Sequence, residues 1–341
     1  MEAGVDAGVE AAPYSLDEAI VRSAVDGAPA CLRLFVAGAE THVGKTTICL
    51  ALLAALRKAG YQPEELGYIK PATQCEAPDL LSKWCELEGI EHIAGQSAPL
   101  VFYAGFTRSF LAGEQGTTQQ WLERIREAVD KLASTRKVVL VDGVGYPAVG
   151  SIVGVDNADV AKVARAPVLL LCRCGVGNAV DTFSMNSTYF WSKGVPVLGA
   201  IFNLGKAKGP DPYAWDKCAV ALQTWFQLNG RREQYYGAVP LVEQLDGLRE
   251  RIAQGATDEF KAHAKINAEH IAMYADLGGI FADAAADNWC RHPRAQRSRS
   301  VVVSCEAHTE MDVSAYKEPT PQQTSRAEVE ARAKSQGMKG G

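Results

Sequence analysis

The residues with the clearest chemical potential lie in the stretch Gly38-Ala-Glu-Thr41-His-Val43-Gly44-Lys45-Thr46-Thr47. An apolar run turns at a glycine-containing loop, and a helix then begins on Lys and Thr. Backbone N–H groups at such a loop converge on an anion, and the dipole of the following helix adds to the attraction. In this arrangement Lys45 reaches the β- and γ-phosphates of a nucleotide and the Thr46 hydroxyl ligates Mg²⁺. The spacing departs from the general G-x-x-x-x-G-K-[ST] pattern. Ala39 stands where the first glycine is expected, and Gly38 precedes it by one residue.

Further candidates follow other apolar runs. Lys70-Pro71 follows Leu66–Ile69, so Lys70 is either a second cation aimed at the phosphates or an exposed lysine in a turn. Asp142 ends Val138-Val-Leu-Val, and a carboxylate there is the usual second half of a phosphate-loop site, holding Mg²⁺ or its waters. The glycine-rich stretch Gly143–Gly154 either lets backbone approach a substrate or simply connects elements. Asp79 can cap a helix or ligate a metal. Arg173 can neutralise an anion or form a structural ion pair. Asn203 offers both a donor and an acceptor to an adenine edge, or forms a turn. His42 reads as an exposed loop residue.

Repeating elements must position these groups. Strands are predicted at Cys31–Ala37, Leu66–Ile69, Lys137–Val141, Val168–Cys172, Val197–Phe202 and Tyr235–Val239. Helices are predicted between them at Lys45–Ala59, Asp79–Leu87, Thr118–Ala133, Asn157–Ala164, Asn178–Trp191 and Ala214–Leu228. Continuous Val/Leu/Ile runs imply strands buried on both faces. Their alternation with helices predicts an α/β fold: a doubly wound, mostly parallel sheet with helices on both faces. Such sheets bind ligands at the carboxyl ends of their strands, where the candidates above lie.

The chain divides by composition. Residues 1–30 read as a flexible acidic leader, with a capping box at Ser15-Leu-Asp-Glu18 marking a helix start. Arg22 is the only basic residue there, which excludes a basic transit peptide. Residues 31–255 form the phosphate-loop ATPase domain. Residues 256–289 form a helical extension, with Phe260, Ile266, Ile271, Met273 and Leu277 as its apolar positions. Residues 290–341, which open on the basic stretch Arg291–Arg299, read as a disordered tail.

The net charge of −5 gives no general attraction to nucleic acid or to an anionic membrane. No apolar run approaches the ~20 residues needed to span a bilayer. The nine cysteines are scattered, and Cys172 and Cys174 share one face of a strand without further ligands nearby. They read as reduced thiols, which predicts a cytoplasmic protein.

Taken together these stretches, from about Cys31 to Val242, resemble the dethiobiotin synthetase family. The family loop G-T-D-T-x-V-G-K-T has the glycine spacing of Gly38 to Gly44. Its G-Y-x-K-P is similar to Gly67-Tyr-Ile-Lys70-Pro71, and its V-L-V-E-G-A-G-G to Val139-Leu-Val-Asp142-Gly-Val-Gly145. Its P-V-[IL]-L-V-x-R-x-G-x-G is similar to Pro167–Gly177, and its later G-x-[IV]-P to Gly237-Ala-Val-Pro240. The resemblance implies an ATP- and Mg²⁺-dependent ligase acting on a small amine or carboxylate, with biotin biosynthesis as the family's setting and a homodimer as its assembly.

The same resemblance assigns roles. Nucleotide would be held by Gly38, Thr41, Val43, Gly44, Lys45, Thr46 and Thr47, with Asn203 and Pro240 lining the adenine pocket. Thr46, Asp79 and Asp142 would bind Mg²⁺, and Lys45 and Lys70 would be catalytic, Lys70 by stabilising a carbamate. The chain departs from the family where substrate is selected. His42 replaces an acidic residue, Gln74-Cys75 replaces Ser/Thr-Gly, and Val180-Asp181 replaces Asn-His. The K-P-x-x-Q form is also similar to a regulatory phosphate-loop module fused to some phosphate acetyltransferases. Partitioning and septum-positioning ATPases carry a second lysine early in the loop, where Glu40 stands here.

Overall fold

A computed structural model describes residues 14–28, 30–74, 80–241 and 257–287. The expected leader start, Asp79, residues 242–256 and the expected tail therefore lie outside the described residues. The strands are β1 (Leu32–Gly38), β2 (Leu66–Ile69), β3 (Ala72–Thr73), β4 (Glu91–Ile93), β5 (Leu100–Val101), β6 (Val138–Asp142), β7 (Val168–Arg173), β8 (Val197–Gly205) and β9 (Gln234–Pro240). The α-helices are α1 (Glu18–Gly27), α2 (Lys45–Lys58), α3 (Leu80–Glu88), α4 (Phe106–Leu111), α5 (Thr118–Ala133) and α6 (Asn157–Ala164). They continue as α7 (Gly177–Ser192), α8 (Trp215–Leu228), α9 (Thr257–Tyr274) and α10 (Leu277–Ala286).

Seven strands form one sheet in the order β4-β2-β6-β1-β7-β8-β9, and every neighbouring pair is parallel. The doubly wound expectation holds. Strand residues alternate between two cores: Leu32, Leu34 and Val36 of β1 face one, and Phe35 and Ala37 face the other. The first core is closed by α1, α2, α3, α9 and α10, the second by α4 to α8. Both faces are apolar, so neither core can form without its helices. β1 is central, and the winding direction changes on either side of it. The loop after β1 therefore opens at the switch point, where a doubly wound sheet leaves a crevice.

β3, β4 and β5 carry no sequence signal, being two or three residues long, and β4 is a sheet edge with an exposed Glu91. One expectation, the cap of the first helix, is corrected. Within the acidic leader, α1 is ordered: Asp17, not Ser15, caps it by accepting from the N–H groups of Ala19 and Ile20, and its buried Val21 and Val25 join the first core. The helical extension expected after residue 256 forms α9 and α10, and it packs into that core. Phe260, Ile271 and Leu277 are buried in it beside α2, whereas Ile266 and Met273 face solvent.

Because Phe281 of α10 is fully buried in the core shared with β1, Phe281→Ala removes a filled volume. Its expected cost is ~3–5 kcal/mol in denaturant unfolding. A loss under ~1 kcal/mol would place α10 outside the cooperative unit.

Candidate functional site

The carboxyl ends of β2, β6 and β1 lie side by side, and each delivers one part of the site. The register pairs Ile69 with Val141 and Val36 with Asp142. Lys70, Asp142 and the loop after Gly38 therefore arrive on one edge of the sheet.

The loop is shaped for close backbone approach. A Cβ on Gly38 would lie 2.8 Å from each of Lys45 Nζ, Glu40 O and Val43 Cγ1. Gly44 has φ of +92°, a conformation that favours glycine, and a side chain there would collide with the Asn203 amide. Gly44 is also the residue before α2, and no side chain caps that helix. An uncapped, glycine-led helix start is the local structure that an anion satisfies. His42 sits in the left-handed region (φ 58°) on the exposed side of the loop.

Around the loop, three side-chain amides hold backbone. Asn203 Nδ2 donates to Val43 O at 3.0 Å. Asn186 Nδ2 donates to Ala39 O at 3.5 Å. Asn157 clamps the loop after Asp142: its Nδ2 donates to Val144 O (2.6 Å) and Tyr146 O (2.8 Å), and its Oδ1 accepts from Val144 N (3.0 Å). Asn157 and Asn186 were not flagged by the sequence, because each resembles an ordinary helical asparagine. Arg173 forms an ion pair with Glu40 of the loop at 2.7 Å, which is the structural alternative for that residue.

Asp142 is fully buried. Its Oδ2 accepts from Lys70 Nζ and Tyr68 OH, both at 3.0 Å. Its Oδ1 has no hydrogen-bond partner among the described residues. A buried carboxylate with one oxygen paired to a lysine and the other unpaired fits a site for a divalent cation or its water. Thr46, in the first turn of α2, lines the same region as the second oxygen donor. Lys45 Nζ donates to Gly145 O at 2.9 Å. Burial lowers the Lys45 pKa; the Asp142 carboxylate opposes that shift and the Lys70 ammonium adds to it.

Lys45, Thr46 and Lys70 border a cavity of about 490 Å³, whose lining does not include the buried Asp142. Thr41, Thr47, Thr73, Gln74 and Gly143–Gly145 also line it. Asn203 and Pro240 are not in this lining. Pro240 ends β9 two strands away from β1's neighbour β7, is buried, and its carbonyl lies 3.4 Å from His270 Nε2 of α9.

A family model described as an AAA domain matches residues 32–249. The ATP-dependent dethiobiotin synthetase of Anaeromyxobacter dehalogenans is 30% identical over 175 residues, covering 50% of this chain and 75% of the relative. This chain belongs to the dethiobiotin synthetase-like family of P-loop proteins. The family's enzyme from Aquifex aeolicus is 31% identical over 180 residues (50% of this chain, 76% of the relative), and that from Clostridium acetobutylicum is 28% identical over 183 residues (50% and 73%). Among solved structures, apo McdA from Cyanthece has a TM-score of 0.42 at 14% identity, covering 70% of this chain and 97% of that one. The family stretch ends before α9 begins. Yet Phe260, Ala264 and Asn267 of α9 line the cavity beside the family's phosphate loop. Sequence reading placed Phe260 only as an apolar position, since nothing local in α9 links it to a loop so distant in the chain.

Burial disfavours the charged form of Lys45, so from its lowered folded pKa up to the ordinary 10.5 the unfolded chain binds more protons than the folded one. The stability of wild type relative to Lys45→Met should therefore rise with pH across that window, measured by thermal melts of the ligand-free proteins. A pH-independent gap would mean that Lys45 is not desolvated.

Proposed function

We propose that this protein is an ATP- and Mg²⁺-dependent carbon–nitrogen ligase of the dethiobiotin synthetase type. The observation that carries the reading is the convergence of Lys45 and Lys70 on one cavity at the switch point of the sheet, with the half-satisfied Asp142 paired to Lys70. Gly38, Thr41, Val43, Gly44, Lys45, Thr46 and Thr47 are assigned to the nucleotide, its phosphates resting on the loop and the start of α2. Asn203 supports that loop from β8 while standing, with Pro240, on the side assigned to adenine. Thr46 and Asp142, together with Asp79, are assigned to Mg²⁺, which supplies charge neutralisation between the phosphates during transfer.

The chain's own groups then perform the following roles. Lys45 places positive charge on the departing phosphates. Lys70, held by Asp142, meets the oxygen of a carbamate or carboxylate and stabilises charge as the γ-phosphoryl group moves to it. An amine of the same substrate attacks the activated carbon, and phosphate leaves; with a diamine the product is a cyclic urea. Tyr68 and Asp142 fix Lys70, so the cation is in place before the substrate arrives. The substrate is a small amine or carboxylate, and diaminopelargonate is the substrate first to be tried. A homodimer acting in the cytoplasm completes the reading. Among the described residues no helix is long and apolar enough to cross a membrane.

A second reading rests on Gln74. It lines the cavity where dethiobiotin synthetases carry a small Ser or Thr, which suits a nucleotide-binding regulatory module without turnover. One experiment separates the two. Incubation with ATP, Mg²⁺, bicarbonate and diaminopelargonate or other amines should release phosphate in an amine-dependent way, and Lys70→Ala should lower kcat about 100-fold or more. Tight ATP binding with no amine-dependent release, and no effect of Lys70→Ala, would favour the regulatory module.

A further inference from the structure

A second cavity, of about 530 Å³, is lined by α2, α3, α9 and the chain just ahead of α1. The last two lie outside the stretch matched by the family model. Its apolar lining includes Ala55 of α2, Ala268 and Ala272 of α9, Trp84 of α3, and Leu16. Its charged lining is mostly basic. Arg57 is paired with Glu88 at 3.9 Å. Lys58, Lys261 and Lys265 are exposed and form no ion pair among the described residues. Glu269 is the remaining acid of the lining, so positive charge is in surplus. Ala264 lines both this cavity and the one bordered by Lys45 and Lys70.

The segment that leads up to this groove has the complementary character. Tyr14 N donates to Met273 O at 2.9 Å, beside Ala272, and Leu16 lines the groove itself. Residues 1–13 thus join the described chain at the edge of the groove. They carry Glu2, Asp6 and Glu10 and no Lys, Arg or His. The three acids recur at every fourth position, as do Val5 and Val9. That spacing keeps the acids together on one side and the valines together on another, in a helix or an extended chain. Between them stand Ala and Gly, small enough to lie close against an alanine surface. Reach is sufficient: Lys261 to Ala272 spans roughly 16 Å along α9, and residues 1–13 cover about 20 Å even as a helix. We propose that this groove is the docking site of residues 1–13 of the same chain. They lie across α2 and α9 with Val5 and Val9 on the alanines and the acids towards Lys58, Lys261 and Lys265. The leader then straps α9 to α2 beside Ala264, which the two cavities share. This assignment is independent of the reaction proposed above.

Hydrogen exchange of the full-length protein, followed by mass spectrometry at ~20 mM salt, where exposed charges are least screened, tests it. The amides between Glu2 and Pro13 should exchange at least tenfold more slowly than in a synthetic peptide of the same sequence. Combining Glu2→Lys, Asp6→Lys and Glu10→Lys should return them to the rate of the matching free peptide. Combining Lys261→Glu with Lys265→Glu should do the same, and both lysines are exposed, so the melting temperature should hold. Joining the two sets restores the charge match and should bring back at least threefold protection. In the wild type itself, raising salt to ~1 M should cut the protection at least threefold. The proposal is overturned if residues 1–13 exchange at the peptide rate in the wild type, or if their protection is indifferent to salt. It is equally overturned if protection survives either charge reversal, or if the joined variant does not regain it. Protection that grows over a hundredfold range of protein concentration overturns it too, by assigning the groove to the leader of a second copy.

Discussion

The site depends on one electrostatic problem, a carboxylate with no exposed surface at the end of a central strand. A buried charge must be paired and hydrogen-bonded, or it is lost by protonation. Here the pairing comes from a single neighbouring strand. Tyr68 lies within β2 and Lys70 just past its end, and both reach Asp142 Oδ2. The parallel register of β2 against β6 brings them there, so a slip of one residue would turn the whole arrangement away. On the other side of β6, β1 ends at Gly38 and leads to Lys45. The strand order β2-β6-β1 is therefore what brings Lys45 within the field of an acid already paired to Lys70. Burial works against the charge of Lys45. An incoming polyanion relieves that discomfort, and this favours binding over the empty state.

The loops around this pair are fastened by neutral groups. Asn203, Asn186 and Asn157 hold Val43, Ala39, and Val144 with Tyr146 by their carbonyls. An amide side chain donates and accepts without adding net charge. A lysine clamp near the loop would compete for phosphate, and a carboxylate clamp would repel it. Asparagine fixes the backbone and leaves the local potential to Lys45, Lys70 and the dipole of α2. Glu40 is the one acidic side chain of the loop, and its charge is balanced by Arg173.

The central strands were legible in the sequence because burial on both faces demands unbroken apolar runs. Leu34 and Val36 face one core and Phe35 the other, so none of them can be polar. The short β3 and β5 and the edge strand β4 escape that rule, since two residues set no period and an edge tolerates Glu91. Lys70 and Asp142 were legible for a related reason: each ends an apolar run, and the sheet's geometry says what such ends are for. The partner of Asn203 was not, since a strand-end amide looks the same whether it reads a base or holds a loop. Asn267 was illegible from local pattern altogether. It sits in α9, and only the packing of α9 on α2 brings it to the cavity.

That packing also ties stability to binding. α2 begins on the residues proposed to cradle phosphate, and Leu50 and Ala51, one turn further on, belong to the core that α9 completes with Phe260, Ala264 and Ala268. A ligand that draws in the first turn of α2 must carry this core with it, because a close-packed interior transmits small displacements and does not absorb them. α10 follows α9 after two residues and packs Ile280 and Phe281 into the same core as β1. The wall of the cavity is thus braced by the sheet that also positions Asp142. A wall braced in this way cannot yield to a poorly fitting occupant without disturbing the core.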